Sequence, residues 1–244
     1  LAAYALLKSV DRIGEGIEMD IYKKMPSGSG LGSSAASAAA AVWGINALLD
    51  LRLTKRELLH FAVVGEQAAD GSYHADNVAP SLMGGIIFIR DNESLDIHKL
   101  PPIPGLYLAM VHPAMTIMTK DARDIIKPNV ALEDHIHQSG NVGGLIIGFY
   151  TSDIELIKRS LNDVIIEPQR ASLIDHFYEV KEAALNAGAL GCSISGAGPS
   201  MFALCSNSII AEEVSEAMSE VFKRNNIKSN PFISRINQEG AIII

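Results

Sequence analysis

The chain has 244 residues, 48% of them hydrophobic and 20% charged, enough to bury one large core or two lobes. Its net charge of −8, with acids and bases interspersed and no run of Lys or Arg, argues against a nucleic-acid or anionic-membrane surface, so any phosphate must be held by local devices. No apolar run approaches the roughly 18 to 20 residues that span a bilayer, and Cys192 and Cys205, both in apolar stretches, read as buried thiols suited to a reducing cytoplasm.

The chain opens on Leu1, and LAAYALLKSV reads as the middle of a packed helix without a charged n-region or cleavage site, so the expectation is that an N-terminal piece is missing. GIEMDIYKKM, residues 16–25, alternates apolar Ile17, Met19 and Ile21 with polar neighbours and predicts a half-buried strand. A glycine-rich segment, PSGSGLGSSAAS at 26–37, follows, and from Ser33 the alanine-rich composition predicts a helix whose small side chains permit close packing. TKRE at 54–57 has capping-box spacing and starts a helix that carries Glu66. GGIIFIR and LYLAMVH read as buried strands on either side of the proline connector PPIPG at 101–105, TKDARDIIK as a short helix and EDHIHQSGNVGGLIIGFY as a longer one. A helix at about 174–187, a strand pair in CSISGAGPSMFALC, a helix SIIAEEVSEAMSEVFKRN and two short strands, PFISRI and AIII, complete an α+β pattern.

Gly28, Gly30 and Gly32, followed by Ser33 and Ser34 at a helix start, let the backbone turn tightly and aim N–H groups and the helix's positive end at an anion. The segment is not a P-loop, because no lysine lies between Gly28 and Ser37, and it is not the dinucleotide fingerprint GxGxxG, because residue 33 is Ser. The bland alternative is a tight turn serving packing alone. A second glycine cluster, SISGAGPS at 193–200, exceeds the one or two glycines of a hairpin and suggests backbone approaching substrate or phosphate. GSYHADNVAPSLMGG concentrates His74, Asp76 and Asn77 beside apolar segments; it reads as a ligand site or as an Asx-rich surface turn. Arg123 and Arg170 could each fork onto a carboxylate, though singly either reads as a surface residue. Glu66 with a serine hydroxyl near phosphate oxygens suits octahedral Mg²⁺. No GxSxG elbow or HExxH spacing occurs, and His135 and His137, two apart on a helix, make a poor metal clamp and read as structural.

Taken together, PSGSGLGSSAAS, HADNVAP, TKDAR, EPQR and SISGAGPS resemble the homoserine kinases of the galactokinase, homoserine kinase, mevalonate kinase and phosphomevalonate kinase superfamily, in the right order along the whole chain. The resemblance implies an α+β, two-lobed fold: an N-terminal lobe like ribosomal protein S5 domain 2 over residues 1–105, and a ferredoxin-like C-terminal lobe over 106–244. It implies ATP and Mg²⁺, with Pro26, Ser27, Gly28, Ser29, Gly30, Leu31, Gly32, Ser33 and Ser34 cradling the triphosphate and with Ser34 and Glu66 on the metal. His74, Asp76, Asn77, Arg123, Arg170 and Gly196 are expected to bind substrate, and Asp76, Thr119 and Arg123 to serve the reaction. Asp76 takes the hydroxyl proton or pairs with the substrate amino group; the second role is favoured. The expected activity is phosphorylation of L-homoserine in the cytoplasm, without nucleic-acid or membrane partners and compatible with a homodimer. Another kinase of the superfamily, of mevalonate type, and a non-catalytic nucleotide-binding remnant are the rival readings. The resemblance also implies an earlier motif with substrate-binding Asn and Asp residues, which nothing in this sequence matches.

Overall fold

The computed structural model describes residues 1–244 apart from Ser27 and Ser72, and excludes the side chains of Ala68, Ala69, Asp70 and Thr119. Contacts group the chain into two compact units, one of 1–27, 32–100 and 237–244, the other of 28–31 and 101–236. The C-terminal residues 237–244 thus pack with the first unit, whereas a division at Gly105 counts them with the second.

The first unit contains α1 (Ala2–Ser9), α2 (Ser33–Leu48), α3 (Lys55–Asp70), α4 (Val78–Met83) and an antiparallel ribbon of β1 (Ile87–Asp91) and β2 (Asp96–Lys99). Its helices close on a core that includes Leu6, Val42, Ile45, Leu58, Val63 and Leu82. Small residues set the spacing: a Cβ added at Gly65 of α3 would lie 2.5 Å from that of Ala2, and Ala35 and Ala39 of α2 are buried. The predicted capping box is present. Thr54 accepts from the Glu57 N–H, and Glu57 Oε2 accepts from the Thr54 hydroxyl and from the Thr54 N–H, each at 2.7 Å; these two bonds to the carboxylate hold the Glu57 carboxyl below its ordinary pKa.

Three sequence expectations fail in this unit. Residues 16–25 form no regular element and join no sheet among the described residues, and Met19 (40%) and Ile21 (56%) are exposed. Alternation specifies a strand only where a neighbour accepts its backbone hydrogen bonds, and no described residue does so here. Residues 241–244 are not a strand either: the Ala241 N–H donates to the Leu82 carbonyl, and Gly240 abuts Gly84 too closely for any side chain. GGIIFIR forms a half-buried ribbon strand rather than a buried one, and its partner β2 and helix α4 went unforeseen.

The second unit runs through β3 (Tyr107–Pro113), α5 (Thr119–Asp124), α6 (Leu132–Thr151), α7 (Ile154–Ser160), α8 (Glu167–Arg170), a 3₁₀ turn Ala171–Leu173, α9 (Phe177–Asn186), β4 (Gly191–Ile194), β5 (Met201–Cys205), α10 (Ser208–Arg224) and β6 (Ser229–Arg235). All pairings are antiparallel in the order β4-β5-β3-β6, the ferredoxin-like arrangement in which β3 lies between its last two partners. α9 and α10 pack on the sheet over a core that includes Val111, Phe177, Met201, Val214, Met218 and Phe222. α9 starts three residues later than the pattern suggested, because Ile174 is extended after the 3₁₀ turn.

Cys192 and Cys205 sit in this core as free, buried thiols, with burial raising their pKa values to about 12 and about 11. Both are therefore expected to resist a thiol reagent at pH 8 in the native protein and to react together in urea; rapid native labelling of either would contradict the packing.

Candidate active site

Within 28–31 the backbone turns through left-handed residues, Gly28 at φ 65° and Gly30 at 77°, and Gly32 at 71° forms the N-cap of α2. Among the described residues no side chain caps that helix end and no acidic residue lies in its first turn, an arrangement whose N–H groups and positive dipole end favour an anion. Ser34 is exposed in this first turn and Ser33 is half-buried, its hydroxyl donating to the Met25 carbonyl at 3.3 Å. Pro26, half-buried, leads in; Ser27 lies outside the described residues. A groove of about 440 Å³ runs along the same helix start, lined by Tyr22, Lys24, Met25, Ser33, Ser37 and Gly44.

The first unit also brings Asn77 against Gly32: a Cβ at Gly32 would lie 3.2 Å from Asn77 Oδ1. Asn77 is the N-cap of α4, and its N–H donates to Asp76 Oδ1 at 3.0 Å. His74 and Asp76 are exposed on the same turn, whose Ala75 N–H donates to Asn92 Oδ1 at 3.0 Å. Glu66 is half-buried on α3, one turn before its C-terminal end.

In the second unit the SISGAGPS segment joins β4 to β5 and abuts the 28–31 backbone. The Ser195 hydroxyl donates to the Gly30 carbonyl at 2.9 Å, and the Ser200 N–H donates to the Ser29 carbonyl at 3.2 Å. A Cβ at Gly30 would fall 2.2 Å from the Ser195 carbonyl oxygen. The second glycine cluster therefore buttresses the first, a role that sequence spacing did not reveal.

Arg170 ties three motifs together, its Nε donating to the Ala122 carbonyl at 2.9 Å and its Nη1 to the Gly196 carbonyl at 3.1 Å. This places the EPQR helix beside the residue next to Arg123 and beside exposed Gly196. Arg123 is half-buried on α5; the Thr119 side chain lies outside the described residues. The short α8 is itself pinned: Asp163 accepts from the N–H groups of Ile165, Ile166 and Glu167, and buried Glu167 pairs with Lys181 of α9. Buried Ser200 and half-buried His112 form a further pair that the sequence reading did not single out.

Ser34 and Glu66 offer hard oxygen donors, the type that Mg²⁺ takes. Among the described residues no group of three His, Cys, Asp or Glu could hold a metal ion, so a cation there would draw most of its ligands from phosphate and water. Exposed His135 and His137 belong to no such group.

Two family models match this chain: "GHMP kinases N terminal domain" over residues 1–85 and "GHMP kinases C terminal" over residues 145–224. A homoserine kinase from Chlorobium phaeovibrioides is 48% identical over 230 residues, 93% of this chain and 72% of that protein. One from Chlorobium phaeobacteroides is 46% identical over 97% of this chain and 74% of its own length. The crystal structure of homoserine kinase from Cytophaga hutchinsonii superposes with a TM-score of 0.94 at 48% identity, over 98% of this chain and 76% of that one. Leishmania major mevalonate kinase, TM-score 0.71 at 16% identity over 99% of this chain and 76% of that one, shares the fold. With matches to both kinase domains and homoserine kinases 46–48% identical over most of its length, this chain belongs to the homoserine kinase family of the GHMP kinases.

Proposed function

We propose that the protein transfers the γ-phosphoryl group of ATP to the hydroxyl of L-homoserine, giving O-phospho-L-homoserine for threonine biosynthesis in the cytoplasm. The observation that carries the reading is Arg170: its two carbonyl bonds gather TKDAR, EPQR and SISGAGPS at one place in the second unit, where an amino-acid carboxylate would meet Arg123 and Arg170. The Gly28 to Ser34 backbone holds the triphosphate by its N–H groups and helix dipole, as phosphoryl transfer requires positioning and charge neutralisation more than covalent chemistry. Ser34 and Glu66 hold Mg²⁺, which supplies charge neutralisation at the phosphates when bound. His74, Asp76 and Asn77 line the amino-acid site, Asp76 pairing with the ammonium group. Thr119 stands by the reacting hydroxyl. Residues 1–105 supply most of the nucleotide-loop lobe, joined by 237–244, and residues 106–236 form the ferredoxin-like lobe.

Arg123→Ala is expected to raise the KM for homoserine by about tenfold or more, since a charged bidentate contact contributes roughly 1.5 to 3 kcal/mol, while the KM for ATP stays unchanged. An equal loss for ATP would contradict the assignment. Assaying homoserine and mevalonate side by side separates this reading from its nearest rival; turnover of mevalonate alone would reject it.

A further inference from the structure

We infer that His112 is a positioning residue for the phosphate loop, acting through the Ser200 hydroxyl and not by touching nucleotide. His112 lies near the end of β3, paired with Asn230 of β6 and one residue beyond Val111, the last β3 residue paired with β5. Its Nδ1 stands 3.1 Å from Ser200 Oγ. Ser200 is fully buried (0%) and its backbone is committed in two directions: its N–H donates to the Ser29 carbonyl at 3.2 Å, and its carbonyl accepts from the Ser195 N–H at 2.8 Å. Ser195 in turn donates its hydroxyl to the Gly30 carbonyl. Ser200 is thus bonded to both glycine segments, and His112 fixes its side chain.

A buried hydroxyl deprived of its partner carries the full desolvation penalty, so the imidazole determines how Ser200 sits and, through it, where Ser29 and Gly30 lie. Burial lowers the His112 pKa, which keeps the ring neutral near pH 7, with one nitrogen able to accept the serine proton. The role follows from the linkage Nδ1 to Oγ, then main chain to main chain. It requires no contact between His112 and substrate.

The inference rests on the reading that 28–34 cradles the ATP phosphates, and the test separates the two. His112→Phe in the full chain is expected to lower kcat/KM for ATP about tenfold, the effect of one lost hydrogen bond to a buried group, with the KM for homoserine within about twofold of the parent. His112→Asn, which presents an amide where Nδ1 stood, should recover to within about threefold of the parent. Ser200→Ala should reproduce the ATP defect, and the double variant should be no worse than the poorer single one.

The inference is overturned if His112→Asn is as damaging as His112→Phe, if the double variant is additive, or if the homoserine KM rises equally. Should His112→Phe not fold, Ser200→Ala and His112→Asn decide: an ATP defect in the first and near-parent kinetics in the second support the role, and any other combination rejects it. Gly30→Ala is the control for the underlying reading. If it leaves ATP kinetics intact, the cradle assignment fails; if it damages them while His112→Phe does not, only the positioning role fails.

Discussion

Gly30→Ala is expected to cut kcat/KM for ATP by at least about a hundredfold, as misplacement of reacting groups by about an ångström can do. The new Cβ would stand 2.2 Å from the Ser195 carbonyl oxygen and 2.9 Å from the Gly198 N and O atoms. These are main-chain atoms of a segment held by its own hydrogen bonds, so no side chain can swing aside. The φ of 77° adds roughly 1 to 2 kcal/mol for an L-residue in the left-handed region. Gly32→Ala provides the comparison. Its φ is 71°, so it carries the same backbone strain, but the atoms nearest its Cβ belong to the Asn77 side chain, at 3.2 Å and beyond. Steady-state kinetics with ATP as the varied substrate should therefore rank Gly30→Ala well below Gly32→Ala. Equal damage at both positions would mean that strain alone matters and that the buttress does not.

This contrast also marks what the sequence can say about the loop. Three glycines and two serines before an alanine-rich helix are local information, and the helix, its N-cap and the left-handed turns followed from it. Thr54 and Glu57 were likewise legible, because a capping box is a contact between residues three apart. Why SISGAGPS holds so many glycines was not legible. Gly196 and Gly198 approach Gly30 across more than 160 residues of chain, a relation no spacing encodes. The failures at 16–25 and 241–244 have the same origin: a strand exists only with its neighbour, while a capped helix satisfies its own backbone. β2 was missed for a converse reason. Its four residues, Asp96–Lys99, include one apolar side chain, Ile97, too few to show an alternation, and the strand forms because β1 lies beside it. Arg170 was found by motif, but its two bonds to backbone carbonyls were not, and they give it a structural duty besides any contact with substrate.

The stability of that arginine's platform leads to the second large effect. Lys181→Met removes the ammonium group paired with Glu167, which is only 5% exposed. Glu167 already buries a second carboxylate oxygen, Oε2, without a hydrogen-bond partner among the described residues, so the variant would leave an uncompensated buried charge. Breaking such a pair from one side costs about 3 to 5 kcal/mol, on the order of 10 °C in Tm for a chain of this size. Glu167→Gln added to Lys181→Met should recover most of that loss, because the amide carries no charge to strand and roughly preserves shape. The consequence for catalysis is directional. α8 spans only Glu167–Arg170, too short to be stable by itself, and depends on Asp163 at its start and Lys181 at its side. Loosening it displaces Arg170 from the Ala122 and Gly196 carbonyls, so below its melting transition Lys181→Met should raise the KM for homoserine more than that for ATP. A variant with a lowered Tm but parental KM values would show that the ion pair stabilises the unit without aligning Arg170.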